Sequence, residues 1–517
     1  MELVKKNITT ELVKGEMTWQ FSLEEEKTLS VEQPDASMVY MKKSQFRISD
    51  KKVENGKIKL SGNVEYELLC QSGMSARFFT VDGELFLEEE LKMENVSSQD
   101  DVEITVRVVD LSVQLLNARK LNIRCIVSCD AKATSLETVQ LCVDIAGKEE
   151  NMEILKKKLP MTRLAAKKEE QFKVQQDLPL PNAYPNIGRI LWHRESLGLL
   201  EYKPMEGKLS VHAQMNLFIA YESALKEEEI AFYETTVPIT GLIEVNGCQE
   251  DQVIELSNIM TRGSVVAKED FDGEERILVL EQVVGFKLKC FEEQEVECVD
   301  DVYGINHEVK SEYLPMRYQK MIYTAEGKKK VVESIPIQDP GQLKGKELLH
   351  LDASARIEHI EKKENTLLLK GSLWVCQYMR DVSNFGQFET IEGEVDFSYE
   401  AAVAGLKKET FCHVDVDVEQ IMVNPTQNLE VRALLNIRMS AFEEKSKEVL
   451  HAIESGTATN RKTTELPGMC IYFAKEGESL WSIGKQYCLP IEQIKETNHL
   501  TCDVLHRGDK LFLMKNA

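Results

Sequence analysis

A strand-like segment occurs three times along the 517 residues of the chain. It begins at Lys57 (KIKLSGNVEYELLC), at Lys208 (KLSVHAQMNLFIAY) and at Thr366 (TLLLKGSLWVCQYM), with spacings of 151 and 158 residues. In each copy apolar and polar residues alternate over part of the segment, which is typical of a strand with one buried face. A charged turn (VENG, PMEG or KKEN) precedes each copy. Each copy is therefore predicted to be the first arm of a β-hairpin.

A second segment recurs in the same order, at Leu121 (LNIRCIVSCDA), Leu278 (LVLEQVVGFKL) and Leu429 (LEVRALLNIRM), with spacings of 157 and 151 residues. Two patterns with near-equal offsets indicate an internal repeat. The runs between them are also strand-like, and such strand-turn-strand spacing favours antiparallel sandwiches or open barrels over crossover units. We therefore predict a mainly β chain with three β-rich, sandwich-like repeats, at 1–160, 161–308 and 309–453.

Two stretches depart from the strand pattern. Residues from Glu149 to Lys168 have helix-forming composition apart from Pro160, and a helix is expected there. Residues 454–468 include the run SGTATNRKTT from Ser455, which is small, polar and without periodicity. This stretch is predicted to be a flexible linker.

The C-terminal segment 469–517 has no copy elsewhere in the chain. An apolar run at 471–474 predicts a strand, and Ser479 suits the N-cap of a first helix. Pro490 suits the first turn of a second helix, and Asn498 suits a left-handed turn at its end. A turn at Gly508 then leads into an apolar run. The segment is predicted to be a small βααβ module.

This order, and the residues in it, resemble the LysM module. The positions that match the LysM pattern are Tyr472, Gly477, Leu480, Ile483, Tyr487, Ile494, Asn498, Leu500, Leu505, Gly508 and Leu511. The resemblance implies a shallow groove between two loops, in which LysM modules bind glycans that contain N-acetylglucosamine. The implied groove residues are Gly477, Glu478, Ser479 and Leu480 in one loop and Thr501, Cys502, Asp503 and Val504 in the other.

The groove region also departs from the LysM pattern. Glu478 replaces the usual Asp, Ser479 the usual Thr, Gly484 the usual Ala, and Arg507 the usual Pro. If the module binds a protein, interface energy should concentrate in a few aromatic, arginine or large apolar residues. The candidates outside the core are Lys475, Glu478, Trp481 and Arg507. Trp481 is interpreted as either a core residue or an exposed anchor, whereas Arg507 would offer paired donors to a carboxylate.

The net charge and the lack of a signal-peptide pattern limit the expected partners and location of the chain. The formal net charge is −24, and the segment 469–517 contributes none of it, since its Lys/Arg and Asp/Glu counts are equal. Such an acidic surface argues against binding to nucleic acid or to anionic lipid. The N-terminal residues lack the apolar run of a signal peptide, and no stretch is apolar enough to cross a membrane. We expect a cytoplasmic protein without direct membrane insertion.

The residue patterns that could carry catalysis or bind a metal favour a protein that is not an enzyme. The 12 cysteines are scattered without a Cys-x-x-Cys pair, and buried thiols are preferred over a zinc site at Cys125 and Cys129. The nearest approach to a phosphate loop, GQLKGKE from Gly341, is one residue short and has Glu347 at the magnesium-binding position. The acidic runs at 88–90 and 227–229 suit solvated turns. No catalytic residue, cofactor or metal is expected.

With the module at its end, the whole architecture resembles the SPOCS-domain proteins of spore-forming clostridia, particularly the SipL type. The SPOCS pattern is clearest in the second repeat, in the segments KPMEG from Lys203, YETTVPITG from Tyr233 and IEV from Ile243. The resemblance implies a scaffold of spore-coat assembly at the forespore surface in the mother cell. It further implies that the LysM module binds the coat-basement ATPase, stage IV sporulation protein A, and that the repeats contact other coat proteins.

A second function stays open. In this alternative the LysM module binds peptidoglycan or another glycan containing N-acetylglucosamine, and the β-rich repeats are a spacer. The missing export signal favours the scaffold, because a peptidoglycan binder normally has to leave the cytosol.

Overall fold

The structure is a computed structural model of the chain, and it describes residues 1–73, 77–147, 151–225, 230–260, 263–335, 345–382, 388–425, 429–456 and 468–514. Almost all of these residues lie in antiparallel β-structure, and the two helices lie near the C-terminus. The mainly β fold with a terminal βααβ module is confirmed. No helix among these residues is long and apolar enough to cross a membrane.

The first repeat contains two sheets. Its strands are β1 (Glu2–Thr28), β2 (Ala36–Glu54), β3 (Lys57–Ser72), β4 (Phe78–Lys92), β5 (Asp101–Asn117) and β6 (Lys120–Ala146). The order in one sheet is β2-β3-β4 and in the other β1-β6-β5. Alternate residues of both sheets are buried against each other, so the repeat is a β-sandwich.

The other two repeats have the same topology. The strands of the second are β7 (Met152–Pro179), β8 (Ile187–Met205), β9 (Lys208–Ser223), β10 (Ile230–Glu244), β11 (Val253–Met260), β12 (Ser264–Glu269) and β13 (Glu275–Gly304). Those of the third are β14 (Val309–Ile335), β15 (Lys346–Lys363), β16 (Thr366–Asp381), β17 (Phe388–Ala402), β18 (Phe411–Pro425) and β19 (Leu429–Ser455). In the second repeat one sheet has the order β8-β9-β10, and in the other β7, β11 and β12 all pair with β13. In the third repeat the two sheets have the orders β15-β16-β17 and β14-β19-β18.

Both recurring sequence patterns lie on central strands. The first pattern opens β3, β9 and β16, each the middle strand of its sheet and the first arm of a hairpin, as predicted. The second pattern lies at the start of β6, β13 and β19. The turn before the first pattern has a residue with positive φ in every repeat, namely Gly56, Gly207 and Asn365. The repeat hypothesis is confirmed.

The prediction of a helix between Glu149 and Lys168 is wrong. Residues from Met152 onward belong to β7, which pairs with β13 along its whole length, and Pro160 lies opposite Glu295. The long-range pairing outweighs the local helix preference of the lysine-rich run, because propensity is a weak prior. The boundary at 160/161 therefore falls inside β7, whereas the boundary at 308/309 coincides with the start of β14 at Val309.

Within the described residues, several apolar clusters join all three repeats. Apolar residues of β2–β4, β8–β10 and β15–β17 form one cluster, which we call the hub; it includes Trp192, Phe218 and Tyr378. Beyond the sandwiches, the long strands continue as three two-stranded ribbons, and these pack together through residues such as Ile8 and Met161. We call the packed ribbons the stalk. Its far end, the tip, carries the β13 residues close to Gly304.

The C-terminal module contains β20 (Met469–Phe473), α1 (Leu480–Tyr487), α2 (Ile491–Asn498) and β21 (Lys510–Met514), and β20 pairs with β21. Ser479 caps α1 by accepting a hydrogen bond from the backbone N–H of Ser482, as predicted for a helix start. The left-handed residue after α2 is His499 and not Asn498. The Asn498 amide instead bonds Ile494 and Phe512. Residues 457–467, most of the predicted linker, lie outside the described residues.

Candidate functional site

The first predicted groove loop is held by Glu478. Its carboxylate accepts hydrogen bonds from the Tyr472 hydroxyl at 2.8 Å and from the backbone N–H of Lys475 at 2.8 Å. The bond from Lys475, with that from Tyr472, lowers the pKa of Glu478, and the Glu478 carboxylate raises the pKa of Tyr472 to about 12. Gly477 has a φ of 80°, a conformation that favours glycine. Glu478 therefore shapes the loop, and both of its carboxylate oxygens already accept hydrogen bonds within it.

The next two predicted groove residues belong to the first helix. Ser479 is exposed but its hydroxyl is occupied as the helix cap. Leu480 is 1% exposed and packs in the module core with Ile483, Leu489 and Leu511. Leu480 therefore supports the fold and presents no surface to a ligand.

The second predicted loop is open to solvent. Thr501, Cys502, Asp503 and Val504 are all exposed, and Val504 is 65% exposed. The Asp503 carboxylate lies 2.7 Å from the Nζ of Lys495 on α2. This ion pair ties the loop to the second helix and leaves Thr501, Cys502 and Val504 as the accessible contacts.

Lys475 and Arg507 are exposed cations of the module surface. Both side chains are exposed, and neither forms an ion pair with another residue in the described ranges. A guanidinium without an internal partner can bind a carboxylate of another molecule through paired donors. Arg507 is therefore the best placed of the predicted anchors.

Trp481 is not a core residue of the module, and it is not a free anchor either. Its indole Nε1 donates a hydrogen bond of 2.8 Å to Asp301 on β13, and its ring lies 4.8 Å from the ring of Tyr303. The Nζ of Lys485, one turn further along α1, lies 2.6 and 2.7 Å from the two Asp301 oxygens. The helix face that bears Trp481 is therefore docked on the tip of the stalk.

Sequence reasoning missed Asp301 and Tyr303. They lie 180 and 178 positions from Trp481, and no local pattern marks them as its partners. One signal was present, because Gly484 departs from the usual LysM alanine. A Cβ at Gly484 would lie 2.6 Å from the Tyr303 hydroxyl, so this glycine allows the close approach.

The module sheet has an apolar outer face that was also missed. Met469, Ile471 and Phe473 on β20 are 61%, 50% and 60% exposed, and Phe512 and Met514 on β21 are 41% and 38% exposed. Ile471 is paired with Phe512, and Met469 with Met514, so these side chains share one face. The alternation with Cys470 and Tyr472, which pack on the core side, was the signal in the sequence.

The acidic runs, the GQLKGKE segment and the cysteine pair were the weaker chemical motifs of the sequence. Glu90, in the acidic run at 88–90, pairs with Lys57 at 2.8 Å on the neighbouring strand. Residues 227–229 and most of the GQLKGKE segment lie outside the described residues. Among the residues that the structure describes, no three His, Cys, Asp or Glu side chains are grouped to hold a metal ion. Cys125 and Cys129 are fully buried, and burial raises the pKa of Cys125 to about 12 and that of Cys129 to about 11.

Comparison with protein families agrees with both resemblances. A family model described as SipL, SPOCS domain matches residues 35–116 and 186–262, and the LysM domain model matches residues 472–513. The two SPOCS matches cover equivalent parts of the first and second repeats, from β2 to β5 and from β8 to β11. The third repeat, with the same strand order, lies outside both matched ranges. No curated protein and no solved structure matches the chain.

Proposed function

We propose that this chain, which carries SPOCS regions of the SipL type and a C-terminal LysM domain, is a non-enzymatic scaffold in spore-coat assembly. The observation that carries the proposal is the presence of both domain types in one chain. Both are binding or scaffold domains, and the chain fits that role physically. Three sandwiches joined through a shared hub and stalk make one extended body with a binding module attached.

The finer proposal concerns the partner and the place. The LysM domain binds the coat-basement ATPase, stage IV sporulation protein A, at the forespore surface in the mother-cell cytosol, and the acidic repeats bind other coat proteins. Exposed Arg507 supports a protein partner, because an arginine suits a carboxylate and replaces a residue without donors. The net charge of −24, which lies wholly outside residues 469–517, suits basic partners of the repeats.

The alternative is a glycan ligand. The loop at 501–504 is exposed, and LysM domains support glycan-type binding. In this case N-acetylglucosamine oligomers would bind beside Thr501 and Val504, and the repeats would hold the module at a distance. Against this alternative, Leu480 is buried and Glu478 is occupied within its own loop.

One binding experiment distinguishes the two functions. The full chain is titrated with the purified ATPase and, separately, with chitin oligomers and purified peptidoglycan. We expect micromolar or tighter binding to the ATPase, and Arg507→Ala should weaken it by about 1–3 kcal/mol if Arg507 is a hot spot. Arg47→Ala, an exposed arginine of the first repeat, is the matched control and should leave binding unchanged.

Two outcomes would contradict parts of this proposal. Tight binding of chitin oligomers, with no binding of the ATPase, would replace the scaffold by the glycan-binding function. Equal binding of the ATPase by wild type and Arg507→Ala would keep the scaffold but remove Arg507 from its interface.

A further inference from the structure

The tip of the stalk bears a preformed set of groups that fit the LysM helices. We call Glu153, Asp301 and Tyr303 the tip receptor. Asp301 accepts hydrogen bonds from both Trp481 and Lys485, and its Oδ1 also accepts one of 3.1 Å from the Tyr313 hydroxyl. Burial would raise the pKa of Asp301, but the bonds from Lys485 and Trp481 outweigh burial and lower it. The carboxylate is thus held ionised where two LysM donors meet.

Tyr303 supplies the centre of the contact. It is 1% exposed, although it lies one residue from the end of β13, because the LysM covers it. Its hydroxyl donates a hydrogen bond of 2.7 Å to the backbone carbonyl of Leu489, and its ring packs edge-on against Trp481. A buried aromatic with a satisfied hydroxyl is the usual centre of a specific interface.

The shape of the first helix matches this tyrosine. Gly484 faces the Tyr303 hydroxyl, and a Cβ there would approach it to 2.6 Å, closer than real side-chain contacts. The same Cβ would lie 2.7 Å from a terminal methyl of Ile491, which can move, and 3.1 Å from the Leu489 carbonyl oxygen that accepts the Tyr303 bond. At position 484 of α1, only a residue without a side chain lets the helix lie this close to the tip.

Glu153 lies at the start of the second helix. Pro490, the N-cap of α2, provides no side-chain cap. The Glu153 carboxylate lies beside the backbone N–H of Ile491 instead, but burial outweighs this contact and, with nearby Glu492, raises the pKa of Glu153. Contacts from both helices therefore converge on one small region of the second repeat.

We infer that the tip receptor binds the helix face of the LysM in the free protein and closes the Trp481 surface to any other molecule. The loop at 501–504, Arg507 and the apolar sheet face stay exposed in this docked form. A partner that binds through these surfaces can bind the docked module. A partner that needs Trp481 must first displace the tip receptor, so the docking is an autoinhibitory contact for that face alone.

The test uses carboxyl labelling of the full chain with a carbodiimide and glycine ethyl ester, mapped by mass spectrometry at Asp301 and Glu153. Gly484→Ala introduces the clash, and Gly468→Ala is the matched control, since a Cβ there meets nothing within 4 Å. We expect Asp301 labelling to rise about tenfold in Gly484→Ala, equivalent to a loss of about 1.4 kcal/mol of docking free energy, and to stay unchanged in the control. Amide exchange at 510–514 reports whether the LysM remains folded.

If Gly484→Ala unfolds the module, Trp481→Ala takes its place, because Trp481 lies outside the module core. The inference would be overturned if Asp301 were labelled at the wild-type rate in both variants. It would also be overturned if, in the wild-type protein, Asp301 were labelled as rapidly as exposed Glu476. Protection that grows with protein concentration would also overturn it, since the LysM would then dock on another copy. No partner is added, so the outcome is independent of the proposed function.

Discussion

A buried lysine joins the first two repeats, and its removal tests whether they form one body. The Nζ of Lys289 on β13 lies 2.9 Å from Glu11 on β1 and 2.8 Å from Glu103 on β5. The Lys289 and Glu11 side chains are 7% and 4% exposed, and Thr134 donates a further hydrogen bond to Glu11. Lys289→Met keeps the side-chain length but leaves the Glu11 carboxylate buried without a cation.

The expected cost follows from that burial. Removing one partner of a buried ion pair typically costs about 3–5 kcal/mol, because an uncompensated charge remains. The lower end applies here, since Glu103 is 35% exposed and also lies 3.2 Å from Lys167. Lys287→Met is the matched control: its partner Glu169 is 63% exposed, and the loss of such a surface pair should cost less than about 1 kcal/mol.

The assay is urea unfolding at pH 7, followed through the first transition, because a chain of several domains need not unfold in one step. The double variant Glu11→Gln with Lys289→Met should recover most of the lost stability, since it removes the buried charge. If Lys289→Met costs no more than Lys287→Met, the lysine does not join the repeats. If the double variant did not recover the stability lost in Lys289→Met, packing and not charge would be the cause of that loss.

The ion pair between Lys289 and Glu103 makes the stability of the fold depend on pH, and the sign of this dependence follows from the pKa of Glu103. Burial would raise the pKa of Glu103, but Lys289 outweighs it and lowers the pKa to about 2. A carboxyl group with a lowered folded-state pKa stabilises the fold above its unfolded value of about 4.3, and this contribution is lost as the pH falls from about 4.3 to about 2. The stability difference between wild type and Lys289→Met should therefore narrow below about pH 4.

Three further predictions concern single side chains. Trp481→Ala should leave the LysM folded, with unchanged amide exchange at 510–514, because its ring contacts Tyr303 and not the module core; exchange there at the rate of an unfolded chain would contradict this. Thiol titration of the unfolded, anaerobically prepared protein should count all 12 cysteines, and only exposed Cys502 should react rapidly in the native state. Tyr378→Ala in the hub should cost about 3–5 kcal/mol in urea unfolding, whereas a cost below about 1 kcal/mol would show that the hub is not a packed core.

The sequence predicted the repeat well because its signals are local. Alternation of apolar and polar residues marks a strand with one buried face, and a glycine or asparagine with positive φ marks the turn before it. These signals coincide at Gly56, Gly207 and Asn365, and each is followed by the central strand of a sheet. The LysM fold was predictable for the same reason, since Ser479 and the apolar spacing of α1 are local features.

The errors have a common cause in long-range contacts. The run from Met152 to Lys168 has the composition of a helix, and only β13, more than a hundred residues later, makes it a strand. The Trp481 environment depends in the same way on Asp301 and Tyr303. A sequence pattern can show that a residue is large and aromatic, but the surface that it meets is decided by packing between distant segments.

The three ribbons resemble one another in strand register but differ in the side chains near the tip. The strand registers shift at equivalent points near the tip, between Val299 and Asp301 in the second repeat and at the matching places in the others. With this alignment, Tyr303 corresponds to Ala146 in the first repeat and to Glu454 in the third. Neither alanine nor glutamate can fill the space beside Trp481 with a ring. The three ribbons provide similar scaffolds, and the ring that contacts Trp481 is present in the second repeat and absent at the matching positions of the other two.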